Sequence, residues 1–553
     1  MKAVRIKQEN AILWGLALLF AILMSLPFLI PGTGPLSLIG FIPLLCMDRI
    51  ASLTQTRHVW KYHYSAFVLW NAFTTFWVCN ATVGGGIFAI LANSLQMSVV
   101  FGLFRFSKKK FNGALPYIFL AAAWIAWERF YFDTDISWPW LVLGNSFARS
   151  TWAVQWYEYT GTLGGSLWVW ASNLSVFGLM VILSEGRWNT LNIKAKTAAV
   201  AGICFLFIFP FCISAAIGRK YDGAMEEGRK LPVLIVQPNI DPYNKFQAMG
   251  QDQQNAILLS LAEDNLQDRL HDSSACPLLV LAPETFTSDI VTSDFSRSWT
   301  WRRITRFLSN YPNTNMIFGA SSYEYIESDT APSYTARKVG NNLWVESHNS
   351  ALIADGTARS EIFHKSKLVV AVEKTPYPRF FCPIDDALGG VMGRCVGQDE
   401  ISLLNVKGKG QTIPVGCAIC YESVYGEYYS GYIRKGAEAM TVITNDAWWG
   451  DTPGYRQHLS YSCLRAIETR RAIARCANTG ISAIISPSGK IVEETKWWEP
   501  AVIKSEIPLR DDITFFVSHG DITGRLCNFL FWLIAAALAV RILTRERASS
   551  SGL

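Results

Sequence analysis

The chain has 553 residues, half of them hydrophobic and only 17% charged, and its 50 Lys and Arg against 44 Asp and Glu leave a net charge of +6. That length excludes one ordinary domain, and so small a charge, carried in short clusters, gives no nucleic-acid footprint. The 12 cysteines are scattered, without paired CxxC motifs at zinc-finger spacing, which argues against a structural zinc site.

Residues 11–217 are strongly apolar, 220–522 read like a soluble α/β protein, and 524–543 are apolar again. A spanning helix needs roughly 20 mostly apolar residues. Candidates fall at 11–30, 35–47, 64–80, 83–104, 114–132, 163–184, 197–217 and 524–543, the second short and interrupted by Pro43. The first follows Lys2, Arg5 and Lys7, as the core of a signal peptide would. It is read as a span because no small-residue cleavage site follows and further spans come directly after it. The basic loops hold Arg49, Arg57 and Lys61, then Arg105 with Lys108, Lys109 and Lys110, then Arg187, Lys194 and Lys196, with Arg541, Arg545 and Arg547 in the tail. With eight spans all of these share the side of the N-terminus, so both termini are expected in the cytoplasm and the long segment outside it. The expected organisation is a membrane α-helical bundle of seven spans at 1–218, an extracytoplasmic domain at 219–522, and a last span with its tail at 523–553.

From residue 231 the pattern changes to short β-rich runs: 231–237 (LPVLIVQ), 278–282 (LLVLA), 316–320 (MIFGA), 350–354 (SALIA), 413–419 (IPVGCAI), 440–444 (MTVIT) and 482–486 (SAIIS). Helices are expected at 252–270, 295–310, 427–435 and 456–478. Near-continuous apolar strands alternating with helices imply sheets covered on both faces, as α/β or as a layered α-β-β-α fold.

Three strings place a reactive side chain at the end of a strand: Leu281-Ala282-Pro283-Glu284 and Ile419-Cys420-Tyr421-Glu422, each past an apolar run, and Phe363-His364-Lys365 continuing to Glu373. Singly, a Glu or Lys after a strand is a solvated loop residue and a Cys is a small buried hydrophobe. Together a carboxylate, an ammonium and a thiol are the parts of nucleophilic acyl transfer: a base, a stabiliser of the oxyanion and a nucleophile.

The ordered set Glu284, Lys365, Cys420 resembles the nitrilase, or carbon–nitrogen hydrolase, superfamily. With the spans around it, nearly the whole chain resembles the apolipoprotein N-acyltransferase family. The resemblance is carried by Pro139-Trp140-Leu141, Val236-Gln237-Pro238-Asn239-Ile240, Asn349-Ser350, Ile419-Cys420-Tyr421-Glu422, Thr444-Asn445-Asp446-Ala447-Trp448-Trp449-Gly450, Arg465-Ala466-Ile467-Glu468, Asn478-Thr479-Gly480-Ile481 and Ser486-Pro487-Ser488-Gly489. It implies a nitrilase-like α-β-β-α domain with Glu284 as base, Lys365 as oxyanion stabiliser and Cys420 as nucleophile. Glu373 and Glu422 would support the lysine and the substrate amine. Asn349, Tyr421 and Trp448 would line the substrate site, Phe246 stands where the family commonly has a tryptophan, and Trp140 matches a membrane-proximal tryptophan near the entrance.

The chain departs from the pattern after the lysine. Where the family usually has His-Leu-Val-Pro-Phe-Gly-Glu, it reads Lys367-Leu368-Val369-Val370-Ala371-Val372-Glu373, losing the Pro and Gly but keeping the distance from Lys365 to Glu373. Lys367 is the rival lysine; that distance favours Lys365. A Gly-rich stretch from Cys382 to Cys395 reads as a lid or insertion whose cysteines either pair in an oxidising compartment or stay free.

The implied reaction moves an acyl chain from a membrane phospholipid, through a thioester on Cys420, to the α-amine of a diacylglyceryl-cysteine lipoprotein. The expected setting is a bacterial inner membrane, with a monomer whose catalytic domain faces the periplasm, and no metal, organic cofactor or nucleic acid. Two other readings compete. A membrane-tethered amidase would use the same triad with water as acceptor, though a single span would tether it. A transporter with a regulatory ectodomain would need ionisable residues inside several spans.

Overall fold

The computed structural model describes residues 2–242, 249–272, 276–357 and 359–550, with side chains from residue 8 to residue 544. The chain forms two compact units, one of Met1–Arg219 with His519–Leu553 and one of Lys220–Ser518.

In the first unit the apolar stretches are helical, the form in which a segment satisfies its own backbone amides without water. Among the described residues, six helical segments are long and apolar enough to cross a membrane: Gln8–Leu29, Gly34–Leu53, Val83–Lys108, Tyr157–Ser184, Ile193–Lys220 and Ile522–Thr544. Two further expected spans are helical but shorter, Trp60–Thr75 with 16 residues and Leu115–Tyr131 with 17. At 1.5 Å per residue these reach about 24–26 Å, short of a hydrocarbon core of roughly 30 Å.

The segment interrupted by Pro43 shows how its break is accommodated. A helix begins at Ile42 and runs to Leu53, so Pro43 sits in its first turn, where a missing amide is harmless. The Phe41 amide just before it donates to Asn173 Oδ1 at 2.8 Å, and Asn173 Nδ2 donates to the Ser37 carbonyl at 2.8 Å. One buried asparagine thus closes the backbone groups that the break leaves open. Phe41 itself packs within 5.4 Å of Trp124 and 4.5 Å of Trp170, an aromatic centre to the bundle. Asp48, buried farther along the same helix, pairs with Arg105 at 2.7 Å and with Lys108. Large side chains such as Phe88, Phe205, Phe529 and Trp532 remain exposed, as a lipid-facing surface requires.

The second unit is built from two sheets. The first contains β1 (Lys230–Gln237), β2 (Leu278–Leu281), β3 (Thr287–Val291), β4 (Thr314–Glu327), β5 (Arg337–Lys338), β6 (Leu343–Asp355), β7 (Ser360–His364) and β14 (Ala501–Pro508). Its order is β14-β1-β2-β4-β6-β5, with β3 on β4 and β7 on β6. The second sheet runs β13-β12-β11-β10-β9-β8, from β8 (Leu404–Gly408), β9 (Gln411–Ile419), β10 (Ala439–Thr444), β11 (Ile473–Ala477), β12 (Ala483–Ile485) and β13 (Ile491–Glu494).

Side chains alternate across a strand, and β1 shows the consequence. Leu231, Val233 and Ile235 enter a core shared with Val415, Cys417 and Ile443 of the other sheet. Leu234 and Val236 point the opposite way, to Leu258 and Ile304 on the helices Gln251–Glu263 and Trp299–Leu308. Tyr429 and Tyr432 of Gly426–Arg434, with Leu459 and Ala466 of Pro453–Thr469, cover the second sheet. The architecture is therefore the four-layer α-β-β-α of the nitrilase-like fold.

One expected element is overturned. The helix predicted over 456–478 stops at Thr469, where Arg470 turns left-handed at φ 50°, and the chain continues as β11. No Gly or Pro marks the break, and β11 is held by parallel pairing with β10, which local pattern does not record.

Close backbone approach also shapes the site. Gly319 of β4 lies under the turn carrying Glu284, and a Cβ there would come within 2.5 Å of Glu284 Cα and Thr285 N. Because backbone rather than a flexible side chain fills that space, Gly319→Ala should destabilise the protein by about 1–3 kcal/mol and slow any reaction that depends on Glu284. Thermal unfolding of the full chain checks this; an unchanged midpoint would show that the turn can move aside.

Candidate active site

Three strand ends deliver the reactive groups. Glu284 lies three residues past β2, Lys365 directly follows β7 and Cys420 directly follows β9. Parallel pairing of β9 with β10 sets Ile443 opposite Ile419, which brings Thr444 beside Cys420. Cys420 has φ 51°, the left-handed region that non-glycine residues rarely adopt. That conformation turns the chain sharply from strand into the 3-10 turn Cys420–Val424, the strained elbow on which nucleophiles are often displayed.

Lys365 is the centre of the cluster and is almost completely buried. Its Nζ lies 3.0 Å from Glu284 Oε1 and 2.9 Å from Glu373 Oε1. Asn349 Nδ2 donates to both of these oxygens, at 2.7 and 2.6 Å, and the Asn349 carbonyl accepts the Lys365 amide at 2.7 Å. The remaining oxygens are also engaged. Glu284 Oε2 accepts the Asn445 amide at 3.1 Å, and Glu373 Oε2 accepts the Val369 amide at 2.7 Å. The loop without the family's Pro and Gly keeps this geometry by placing Ala371 in the left-handed region at φ 66°.

The electrostatics follow from burial and charge. Burial would pull the Lys365 ammonium toward neutrality, but the Glu284 and Glu373 carboxylates overcome it and hold the pKa well above its ordinary value. Burial, reinforced by Glu284, pushes the Cys420 thiol well up, against the pull of Lys365 and a hydrogen bond with Thr444. The thiol therefore rests protonated, beside a carboxylate able to take its proton and an ammonium able to favour the anion.

Glu422 occupies a different position from the one its neighbour Cys420 suggests. Its carboxylate is fully buried and accepts from the amides of Ser366 at 2.7 Å and Ile419 at 2.8 Å and from the Tyr428 hydroxyl at 2.6 Å. It ties the chain after Lys365 to the chain before Cys420. Lys367 Nζ lies over the rings of Tyr425 and Tyr428, at 5.1 and 5.8 Å.

Tyr421 is buried edge-on to Tyr425, with ring centroids 5.2 Å apart, and Trp448 is half-buried in the turn Asp446–Trp449. Trp140 belongs to the membrane unit, where it is buried, stacked on Trp138 at 5.2 Å and edge-on to Trp77 at 4.9 Å. Phe246 lies outside the described residues. Cys382 and Cys395 are both free thiols, and Cys382 lies on the helix Pro378–Ala387, whose Phe380, Phe381 and Ile384 are exposed. Sequence reasoning missed His458 and Asp446. Their ligand atoms lie within 4.8 Å of each other and of Cys420 Sγ. The only local signal was Asp446 inside the Thr444–Gly450 string, because His458 sits on a helix of which every residue but Pro453 and Arg456 is buried, so no amphipathic face singles it out.

A model of the carbon–nitrogen hydrolase family matches residues 277–512, and a model of the apolipoprotein N-acyltransferase N-terminal domain matches residues 20–175. The chain is 28% identical over 515 residues to an apolipoprotein N-acyltransferase of Chlorobaculum tepidum, covering 92% of each. It is 24% identical over 554 residues to one of Geobacter metallireducens, covering 97% of this chain and 95% of that one. A crystal structure of Saccharomyces cerevisiae Nit3, a member of branch 10 of the nitrilase superfamily, aligns with 51% of this chain and 91% of its own at 14% identity and a TM-score of 0.35.

The two lysines separate by substitution. In a single-turnover assay of the full chain, Lys365→Ala should abolish release of the leaving group, and Lys367→Ala should retain most of it. Lys365→Arg should not restore activity, because a planar fork does not fit the place of a compact ammonium. An inactive Lys367→Ala beside an active Lys365→Ala would move the cationic role two residues along the chain.

Proposed function

The chain belongs to the apolipoprotein N-acyltransferase family of the carbon–nitrogen hydrolases, and from that premise we propose a two-step acyl transfer from a membrane phospholipid to the α-amine of a diacylglyceryl-cysteine lipoprotein. The observation that carries the reading is the Lys365 ammonium buried between Glu284 and Glu373 beside the Cys420 thiol, in a chain that also holds apolar spans.

In the first step Glu284 takes the thiol proton and the Cys420 sulfur attacks the ester carbonyl carbon. The carbonyl electrons move to an oxyanion that Lys365 stabilises. As the oxyanion collapses the ester C–O bond breaks, the departing lysophospholipid oxygen takes the proton from Glu284, and the acyl chain is left as a thioester. In the second step the neutral α-amine attacks the thioester carbonyl, Glu284 removes a proton from the nitrogen, and the C–S bond breaks to release an amide, the departing Cys420 sulfur taking the proton from Glu284 to restore the resting thiol. Asn349 and the backbone amides of Asn445 and Val369 hold the two carboxylates during both steps.

The distribution of Lys and Arg favours an orientation with both termini in the cytoplasm and the catalytic unit on the outer face of the inner membrane. Both lipid substrates are available there, and a single chain supplies every group the steps need. Tyr421 and Trp448 are assigned to the substrate site, and Trp140 to a membrane-proximal position near its entrance, on the family pattern.

The test is turnover. With phospholipid vesicles alone the enzyme should release about one equivalent of lysophospholipid and stop, the signature of a covalent intermediate. Addition of a diacylated peptide with a free α-amine should restart release, with ping-pong kinetics. Continuous release of free fatty acid without any acceptor, or ammonia from small amides, would identify the amidase instead.

A further inference from the structure

Behind the nucleophile lies a second buried charge cluster that the two steps do not use. His458, on the helix Pro453–Thr469, is fully buried, as are Asp446 and Arg475. Its Nε2 lies 3.0 Å from the Cys420 carbonyl oxygen and 3.1 Å from Ser423 Oγ. Its Nδ1 lies 2.9 Å from Asp446 Oδ1 and 3.2 Å from the Arg475 guanidinium. Arg475 also donates to Asp446 Oδ2 at 2.7 Å, and the Thr444 hydroxyl to Asp446 Oδ1 at 2.7 Å. Burial would raise the Asp446 carboxyl, but Arg475 and His458 hold it down at about 2, so the carboxylate stays charged.

Three uses of such a cluster can be told apart by geometry. Cys420 Sγ, an Asp446 oxygen and a His458 ring nitrogen lie within 4.8 Å of one another, a spacing that a metal ion could bridge. The Arg475 guanidinium, however, already supplies positive charge to Asp446 and faces Nδ1. A Cys-His-Asp arrangement could also make His458 the base for the thiol. But a carbonyl oxygen only accepts hydrogen bonds, so Nε2 carries a hydrogen and gives it to the Cys420 backbone. The Ser423 hydroxyl donates to that same carbonyl at 2.8 Å. The third use, positioning, is the one that every contact serves.

We propose that His458, oriented by Asp446 and Arg475, is a positioning residue that clamps the Cys420 carbonyl and holds the nucleophile in the left-handed conformation that presents its thiol to Glu284 and Lys365. The αL backbone at φ 51° is unfavourable for a cysteine and persists only where surrounding contacts dictate it. Two donors converging on one carbonyl are such a contact. The inference rests on Cys420 as nucleophile, and failure of that reading is separable because Cys420→Ala would then keep turning over.

The experiment compares full-chain variants whose amides reach different ring positions. A glutamine amide nitrogen can stand where Nε2 stands, and an asparagine amide stands where Nδ1 stands. The readouts are single-turnover release of lysophospholipid from vesicles of phosphatidylethanolamine and phosphatidylglycerol, its pH profile, and the thermal midpoint of each variant. His458→Gln should stay within about fivefold of the parent, and His458→Asn and His458→Ala should fall by about 100-fold, the scale of a small misplacement of a reacting atom. The loss should lie in kcat rather than KM, with the pH profile unshifted. If His458→Gln is as slow as His458→Ala and raised pH rescues both, His458 is a base and the proposal fails. It also fails if His458→Ala retains full rate, if Gln and Asn are equally slow, or if every variant loses the folded state.

Discussion

One buried ammonium between two carboxylates sets the terms for the catalytic unit. Lys365 and Glu284 are buried and Glu373 is partly so, a setting in which isolated charges are strongly disfavoured, so their arrangement persists only because each oxygen is hydrogen-bonded. The donors come from β6 through Asn349, from the segment after β10 through Asn445, and from the loop after β7 through Val369. Both sheets must therefore be in register before the cluster can form. With the thiol protonated the three charged groups sum to one negative charge, which helps to keep Cys420 neutral at rest. Proton transfer from Cys420 to Glu284 moves that charge without changing the total, so the reactive state needs no further burial of charge.

The membrane unit obeys the same rule in a different solvent. Three of its buried polar side chains show this: Asn173 binds the backbone at the break before Ile42, Asp48 pairs with Arg105 and Lys108, and Glu128 Oε1 accepts from the Trp124 ring nitrogen and the Leu143 amide. Ionisable residues of a transport path would face a cavity and exchange partners. Asp48 and Glu128 instead brace turns and helix ends, which fits a scaffold for an enzyme that draws both substrates from lipid.

The parts of this structure that sequence made legible share one property, an apolar run ending in a charged or reactive residue. Glu284 and Cys420 were visible because β2 and β9 are buried on both faces and read as near-continuous hydrophobic strings. The half-buried β7, with sequence SEIFH, carried no such signal, although it delivers Lys365. β11 was hidden for the opposite reason. It contains Arg475, whose buried charge is answered by Asp446, 29 residues earlier, and no local pattern encodes that pairing. Glu422 was legible as important but not in its direction, because adjacency to Cys420 along the chain does not tell which way a side chain leaves an αL elbow.

The central claim is that Cys420 carries the acyl chain covalently. Intact-mass analysis of the full-length protein after incubation with a phospholipid of a single defined acyl chain addresses this directly, followed by peptide mapping and neutral hydroxylamine. The account predicts one added acyl group, located on the peptide containing Cys420, removed by hydroxylamine and absent from Cys420→Ala. An adduct on another residue, or full acyl transfer by Cys420→Ala, would contradict it.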